Sequence, residues 1–350
     1  MLRRLIVITL AIGAMVGAAA CGQAAPKAQA PAQKPGKVLN IGFYGGNLGT
    51  EFQQSFVAPF EKKYNIKVNV VTAYDSVRFT QLAQNPSHPS LDVAFFTAPI
   101  MPKVLSSNIA DTLSTKTIPN LSQVYPSLIW PGDKAVAFSF GAWGIVYNKT
   151  KIHQPITSWA DLLNPAFKNK VTAPDIEFSS SILTLDAMAR LGGGSIKNVN
   201  PGLKNMATLA SHSQSLWQSP TSLVQWLQQG EVWISPYANG DTYALKDPNL
   251  AFVTPKEGAY LVPFYAVKVH NAANPVGAQM FINYILGAKT QSNWVRASYY
   301  SPANEHAVIP ASYKNLVTTG PEVKKLIQID WNYYNQNQSQ ITQEWQAQVK

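Results

Sequence analysis

The sequence is poor in cysteine and in charged residues. Its 350 residues include a single cysteine, Cys21, so an internal disulfide and Cys–His catalysis in the folded body are both excluded. Charged residues make up 13% of the chain, about half of the usual ~25%. The formal net charge of +10 results from few acids rather than from clustered bases. Because Lys and Arg are scattered, a nucleic-acid-binding surface is not expected.

Catalytic and metal-binding motifs are missing as well. None of the five histidines is paired with another His or Cys at metal-ligand spacing, and there is no GxSxG elbow or P-loop. Gly192–Gly194 follows a predicted helix rather than a strand, which indicates a helix end and a turn. Asp175 and Glu177 form a carboxylate pair, but no second element surrounds them. We therefore expect no enzyme, no cofactor and no metal site.

The first 20 residues have the pattern of a secretory signal peptide. Two arginines precede the apolar segment Leu5–Val16, and the small residues Gly17–Ala20 follow it. Cys21 comes next, a context that resembles a bacterial lipobox, although Ala18 stands where Leu is usual. The alternative is an ordinary signal peptide with an incidental cysteine. The lipobox interpretation predicts that acylated Cys21 anchors the protein in the lipid bilayer. The folded body would then lie outside the cytoplasm, at the cell membrane or in the periplasm.

Residues 21–37 are rich in Ala, Pro, Gln and Lys and have no periodic apolar pattern. Such a segment cannot bury enough surface to fold, so it predicts a flexible tether. No later segment approaches the ~20 apolar residues of a membrane-spanning helix.

The next part of the chain alternates predicted strands with predicted helices. In order, they are strand Val38–Tyr44, helix Gly49–Tyr64, strand Lys67–Val71, helix Ser76–Gln84 and strand Leu91–Phe96. This βαβ order predicts a parallel sheet. Ligands bind beyond the carboxyl ends of such strands. Tyr44, Asn47 and Thr97 are therefore candidate ligand-binding residues.

The stretch from Phe138 to Asp175 separates this series from a second one. Phe138–Phe140 and Ile145–Tyr147 are apolar, and the sequence Gly-Ala-Trp-Gly between them predicts a turn. The two strands could form a bulged hairpin, or the chain could pass here from one domain to another. The second series favours a passage between domains. Trp143 would then form a wall of the cleft or pack within the hinge.

The second series ends in further candidate residues. Predicted strands are 171–173, 232–237, 251–254 and 260–269; predicted helices are 179–190, 203–212, 219–229, 274–286, 290–297, 321–328 and 339–348. Tyr237, Asn239 and Asp241 end a strand, where the crevice rule again places ligands. Pro263 removes a ladder donor from the long strand, which predicts an edge, a bulge or a passage between sheets. Tyr265 on the same strand is a further candidate.

Several segments resemble the solute-binding proteins of bacterial ABC importers. They are GIVYNK, PITSWADLLNPAFKNKV, GEVWISPYANGDTYALKD, NPVGAQMFINYIL and YYSPAN, and the resemblance extends from about Lys37 to Val308. The similarity is greatest to the spermidine/putrescine-binding branch and its relatives for iron and small organic ions. It implies an α/β, type II periplasmic-binding fold whose two lobes close on a ligand by hinge bending. It also implies a monomer that delivers a small solute to an ABC permease.

On this resemblance, the N-terminal lobe comprises residues 38–140 and 262–298, and the C-terminal lobe comprises 141–261 and 299–350. The pocket departs from that of polyamine binders: Asn47 follows glycines where aromatic residues are usual, and Phe264 stands in place of a carboxylate. Polyamines need carboxylates for their charged ends and aromatic walls for their stems. The carboxylates left for this role are Asp175, Glu177 and Asp241.

Two other ligand classes stay open. Ser179–Ser181 begins a predicted helix and would present hydroxyl and N–H groups to a carboxylate or phosphonate, or would only cap the helix. Arg78 could reach the same cleft, or lie on the solvated surface. Ferric ion is usually held by pairs of tyrosines, and Tyr299 and Tyr300 are adjacent.

Overall fold

The computed structural model describes residues 34–350. The predicted signal peptide, Cys21 and most of the predicted tether lie outside the described residues. The last tether residues belong to the body, because Gly36 donates its N–H to Oδ1 of Asn274 at 2.9 Å.

Within residues 34–350 the strands form one mixed sheet with the order β2-β1-β3-β7-β4-β5, and β6 and β8 also pair with β4. The strands are β1 Val38–Phe43, β2 Lys67–Thr72, β3 Val93–Thr97, β4 Val136–Asn148, β5 Ile234–Ala238, β6 Leu250–Val253, β7 Tyr260–Lys268 and β8 Ser301–Pro302.

The α-helices are α1 Gly46–Phe52, α2 Ala58–Tyr64, α3 Asp75–Gln84, α4 Met101–Ser106, α5 Ser181–Leu191, α6 Asn200–His212, α7 Pro220–Gln229, α8 Asn239–Ala244, α9 Pro275–Ile285, α10 Ala288–Ser298 and α11 Trp331–Gln348. A π-helical segment, Gln53–Val57, joins α1 to α2. Short 3₁₀ helices are Ala98–Ile100, Pro119–Gln123, Pro126–Leu128, Trp159–Leu163, Pro165–Phe167, Ala311–Tyr313 and Gly320–Lys325. None of the helices described is long and apolar enough to cross a membrane.

The first half confirms the predicted βαβ order. Strand β1 lies between β2 and β3 and is parallel to both. Its residue Phe43 stacks on Phe52 with ring centroids 3.7 Å apart. Phe52, Phe56 and Phe60, spaced by one helical turn, are fully buried. The helical periodicity of these rings therefore marks a face that packs in the core.

The predicted turn in the middle of Phe138–Tyr147 is wrong, because β4 is a continuous strand of 13 residues. Its glycines allow neighbouring side chains and backbone to approach the strand closely. A Cβ on Gly141 would lie 2.9 Å from the ring of Tyr300, and a Cβ on Gly144 would lie 2.5 Å from the carbonyl oxygen of Val253. Strand β4 pairs with β7 along its first part and with β5 and β6 along its last part. It thus runs without a turn from the first half of the molecule, which contains β1, β2 and β3, to the second half, which contains β5 and β6.

Strand β7 is the second connection between the halves. It pairs with β3 from Phe264 to Lys268, and Pro263 lies directly beyond that pairing. Pro263 therefore has a strand neighbour on one side only, β4. Strand β7 as a whole lies between β3 and β4, so the prediction of an edge strand is wrong, and only the residue Pro263 lacks a second neighbour.

Three other predicted elements differ from the structure. The helix predicted at 321–328 is only the short 3₁₀ helix Gly320–Lys325. The strand predicted at 171–173 is reduced to an isolated bridge between Val171 and Ile234. The last helix begins at Trp331 rather than at residue 339, and it contacts both halves. In the first half, Nδ2 of Asn335 donates to the carbonyl oxygen of Pro99 at 2.8 Å. Farther along the helix, Trp345 is fully buried.

Candidate functional site

An ion pair organises the carboxyl ends of the first three strands. Arg78 is fully buried, and its terminal nitrogens donate to the carbonyl oxygens of Phe43 at 2.6 Å and Ala73 at 2.7 Å. They also donate to the carbonyl oxygen of Phe95 and to Oδ1 of Asp75. The interpretation of Arg78 as a surface residue is therefore wrong. Its terminal donors are engaged by the protein, so it ties strand ends together rather than offering a free charge to an anion.

Tyr44 and Thr97 lie beside this ion pair. Oδ2 of Asp75 accepts hydrogen bonds from the backbone N–H of Thr97, at 2.9 Å, and from its hydroxyl. The guanidinium of Arg78 lies 5.0 Å from the ring centroid of Tyr44. The Tyr44 hydroxyl is buried with no hydrogen-bond partner among the described residues. Burial raises the pKa of Tyr44, and Asp75 raises it further. Asn47 is exposed on α1.

A second group of aromatic residues continues from Tyr44 across β7 and β8. The ring of Phe264 lies 5.9 Å from that of Tyr44 and 5.1 Å from that of Tyr300. The Tyr300 hydroxyl donates to Oδ1 of Asp241 at 2.7 Å. Burial raises the pKa of the Asp241 carboxyl to about 6, although the hydrogen bond from Tyr300 opposes the shift. Burial raises the pKa of Tyr300 as well.

The adjacent tyrosines point to different places. Tyr299 ends α10 in a left-handed conformation with φ of 61°, and its ring packs against Tyr313 at 5.4 Å. The structure therefore brings Tyr300, not Tyr299, to the candidate site. Tyr265 lies elsewhere too: its ring contacts Trp130 at 5.2 Å and lines a separate cavity of about 410 Å³.

Asn239 has a structural role at the end of β5. Its Oδ1 accepts from the backbone N–H of Ala142 at 2.8 Å, and its Nδ2 donates to the carbonyl oxygen of Leu316 at 2.9 Å. The side chain thus extends the hydrogen bonding of β4 past the end of β5. Both functional groups of Asn239 are occupied in the structure.

An aromatic wall lies in the second half. It consists of Trp143, Phe178, Trp217 and Tyr237. The ring of Trp143 lies 6.3 Å from those of Trp217 and Tyr237, and Phe178 and Trp217 are 4.7 Å apart. Trp143 is buried and donates from Nε1 to Oγ1 of Thr184 at 3.0 Å. Burial raises the pKa of Tyr237, and the charge of Asp241 adds to the effect.

Asp175 lies beside the aromatic wall. Its backbone N–H donates to the carbonyl oxygen of Trp217 at 2.9 Å. The residue is 3% exposed. Its Oδ2 lies 2.9 Å from Nζ of Lys350, and its Oδ1 is buried with no hydrogen-bond partner among the described residues. Asp175 is therefore a carboxylate whose bonding capacity is only partly used.

The other residues predicted near Asp175 are more exposed. Glu177 and Ser179 are both exposed. Helix α5 begins at Ser181, whose hydroxyl donates to the carbonyl oxygen of Ile176 at 3.3 Å, and Ser180 makes no side-chain capping bond. The proposal that the serines cap the helix with their side chains is therefore wrong for Ser180.

Two series of contacts connect most of these residues. The first joins Tyr44, Phe264, Tyr300 and Asp241. The second joins the aromatic wall to Asp175 through the backbone hydrogen bond between Asp175 and Trp217. Sequence reasoning did not select Asp75 as a candidate, although it lies four residues after the predicted strand Lys67–Val71, near the carboxyl end of that strand. It also missed Phe178, Trp217 and Lys350, for which no sequence pattern gave a signal. In residues 34–350, no group of three or more His, Cys, Asp or Glu side chains converges as a metal site.

Comparison with known proteins identifies the family. The sequence profile of the bacterial extracellular solute-binding proteins matches residues 89–337. A protein from Salmonella typhimurium, which bears the name of a 2-aminoethylphosphonate-binding periplasmic protein, is 22% identical over 80% of this chain and 82% of its own length. The spermidine/putrescine-binding periplasmic protein 1 of Haemophilus influenzae is 27% identical over 71% of each chain.

A solved structure confirms the architecture. An ABC transporter protein from Clostridium perfringens superposes with a TM-score of 0.77 at 23% identity, over 89% of this chain and 100% of that one. The two-lobed α/β fold implied by the resemblance is therefore confirmed, and the chain belongs to the bacterial extracellular solute-binding proteins.

Proposed function

We propose that this protein captures a small organic amine outside the membrane and delivers it to an ABC permease, with no catalytic role of its own. The observation that carries the proposal is the buried and only partly bonded carboxylate of Asp175 next to the aromatic wall, with a second carboxylate, Asp241, bonded to Tyr300. A carboxylate binds an ammonium group by charge-assisted hydrogen bonds. Aromatic faces attract cations and cover methylene groups.

The names of the two relatives point to the same chemistry. Spermidine and putrescine carry ammonium groups at both ends, and 2-aminoethylphosphonate carries one. A primary ammonium group is the feature that these ligands share. The amine is therefore the part of the solute that we assign to Asp175, whether the solute is a polyamine or a zwitterion.

A zwitterion is the second candidate, and the start of α5 favours it. Ser179 is exposed at this helix start, a few residues after Asp175 in the chain. The positive end of a helix attracts anions. At α5 the N–H groups of Ser181 and Leu183 already donate to the carbonyl oxygens of Phe178 and Ser180, so the anion would be held by the remaining groups of this turn. An aminoalkylphosphonate could place its amine at Asp175 and its anion at α5. For ferric ion the adjacent tyrosines offer no support, because Tyr299 and Tyr300 point apart.

We further propose that β4 and β7 form the hinge between lobes 38–140 with 262–298 and 141–261 with 299–350. Binding would close the lobes on the solute. Helix α11, in the segment 299–350, contacts both halves. Hinge closure would therefore change the contacts of α11 with at least one of the two lobes. We also propose a monomer that is tethered to the bilayer through acylated Cys21.

The proposal is tested by calorimetric titration with putrescine, spermidine, 2-aminoethylphosphonate, methylphosphonate and ferric citrate. Solutes with an ammonium group are expected to bind, and methylphosphonate, which has none, is expected to bind at least tenfold more weakly. Asp175→Asn together with Glu177→Gln should weaken the amines, while the exposed-site variant Glu177→Gln alone serves as the matched control. Equal binding of methylphosphonate and 2-aminoethylphosphonate would show that the amine is not recognised.

A further inference from the structure

The ammonium group of Lys350 is bound to Asp175 in the structure. Its Nζ lies 2.9 Å from Oδ2, and the side chains are 37% and 4% exposed, respectively. An ammonium is a donor of up to three hydrogen bonds on a flexible chain of four methylene groups. Lys350 therefore presents to Asp175 the same chemical group as the end of a polyamine or an aminoalkyl solute.

Helix α11 brings Lys350 to this position. The helix is fixed to the first half by the hydrogen bond from Asn335 to Pro99, and Trp345 is fully buried one turn before its end. Lys350 lies five residues after this buried anchor and two residues beyond the end of α11. Its approach to Asp175 is thus set by the packing of the helix, whereas the outer part of its side chain stays partly exposed.

The pairing leaves Asp175 only partly satisfied. Oδ1 is buried without a hydrogen-bond partner among the described residues. The backbone of Asp175 is hydrogen-bonded to the backbones of Phe178 and Trp217, two residues of the aromatic wall. A buried carboxylate with a free acceptor is costly, and a second donor would relieve that cost. A solute amine that entered here could bond to both oxygens, but it would have to replace the ammonium of Lys350 to do so.

We propose that Lys350 is an internal competitor of the solute: its ammonium group occupies the alkylammonium site at Asp175, and a solute amine must displace it. This inference rests on the proposed function only for the identity of the solute, an organic amine. A receptor whose site is filled internally binds solute with an affinity reduced by the fraction of molecules in which the site is free. If Lys350 fills the site in about nine-tenths of the molecules, its removal raises the affinity about tenfold.

The first test probes the site without any natural solute. In Lys350→Ala, n-butylammonium chloride replaces the missing side chain. It should raise the melting temperature of this variant more than that of the wild type, relative to sodium chloride at equal ionic strength. The effect should disappear in the double variant Lys350→Ala with Asp175→Asn. Lys324→Ala removes an exposed lysine and is the matched control, with no butylammonium effect beyond that of the wild type.

The second test measures putrescine and 2-aminoethylphosphonate binding. We expect about tenfold tighter binding to Lys350→Ala and wild-type affinity for Lys350→Arg, which keeps the charge. If these solutes bind wild type and Lys350→Ala equally, the proposed competition by Lys350 is refuted, while the proposed function stands. If butylammonium stabilises Lys350→Ala but neither solute binds any variant, the proposed function fails while the site stands. An equal butylammonium effect on both proteins also refutes the competitor.

Discussion

Replacement of Asp241 by Asn should stabilise the protein at neutral pH and have little effect in acid. The carboxyl accepts a hydrogen bond from Tyr300, and burial raises its pKa to about 6. An unfolded aspartate has a pKa of about 3.9. The folded state therefore binds the proton more tightly, and the contribution of Asp241 to stability falls as the pH rises from about 4 to about 6.

The size of the effect follows from the shift. Each pKa unit corresponds to about 1.4 kcal/mol, so a shift of about two units makes ionised Asp241 destabilising by up to about 3 kcal/mol above pH 6. Asn keeps the oxygen that accepts the Tyr300 hydrogen bond and carries no charge. The variant should therefore gain about 1–3 kcal/mol in free energy of unfolding at pH 7.5, since the bond to Tyr300 is weaker when the acceptor is neutral.

The assay is urea denaturation of wild type and variant at pH 4 and pH 7.5. The difference between the two proteins should be close to zero at pH 4 and favour the variant at pH 7.5. Asp133→Asn makes the same chemical change at an exposed position and is the matched control. A stability difference for Asp241→Asn that is the same at both pH values would refute the reasoning.

Three other changes test different parts of the structure. Arg78→Lys should lower the free energy of unfolding by about 3 kcal/mol or more, because buried carbonyl oxygens lose their donors. The exposed-site control Arg296→Lys should cost much less. Equal losses would contradict the role of Arg78 in holding the strand ends together. Gly141→Ala places a Cβ against the ring of Tyr300, so it should cost about 1–3 kcal/mol in urea denaturation; an unchanged midpoint would contradict this close packing. Cys21→Ser should release the protein from membranes into the medium in a fractionation experiment, and continued attachment would count against the lipid anchor.

Local patterns predicted much of the first half. Runs of apolar residues identified β1 and β3, and the spacing of Phe52, Phe56 and Phe60 identified the buried face of a helix. These patterns are reliable because each arises from one element packing against one core. The crevice rule then placed Tyr44 and Thr97 near a common edge, which the structure confirms through their contacts with Arg78 and Asp75.

The same local rules failed where the environment of a residue is determined by a neighbour that is distant in the sequence. Gly141 and Gly144 suggested a turn, yet they lie within a strand because Tyr300 and Val253 approach it closely. A sequence shows that a glycine is present, but it does not show which partner requires the space. Likewise, the sequence left Arg78 either in the cleft or on the surface, because the carbonyl oxygens that accept its hydrogen bonds lie on, or directly after, three different strands.

The sequence by itself determined the fold class and the family, since periodicity, strand order and family motifs are written along the chain. Only the tertiary structure decided which side chains meet. It selected Tyr300 over its neighbour Tyr299, placed Trp217 beside Asp175, and brought Lys350 to the same carboxylate. These contacts join residues far apart in the chain, and their geometry depends on how the helices and strands pack together.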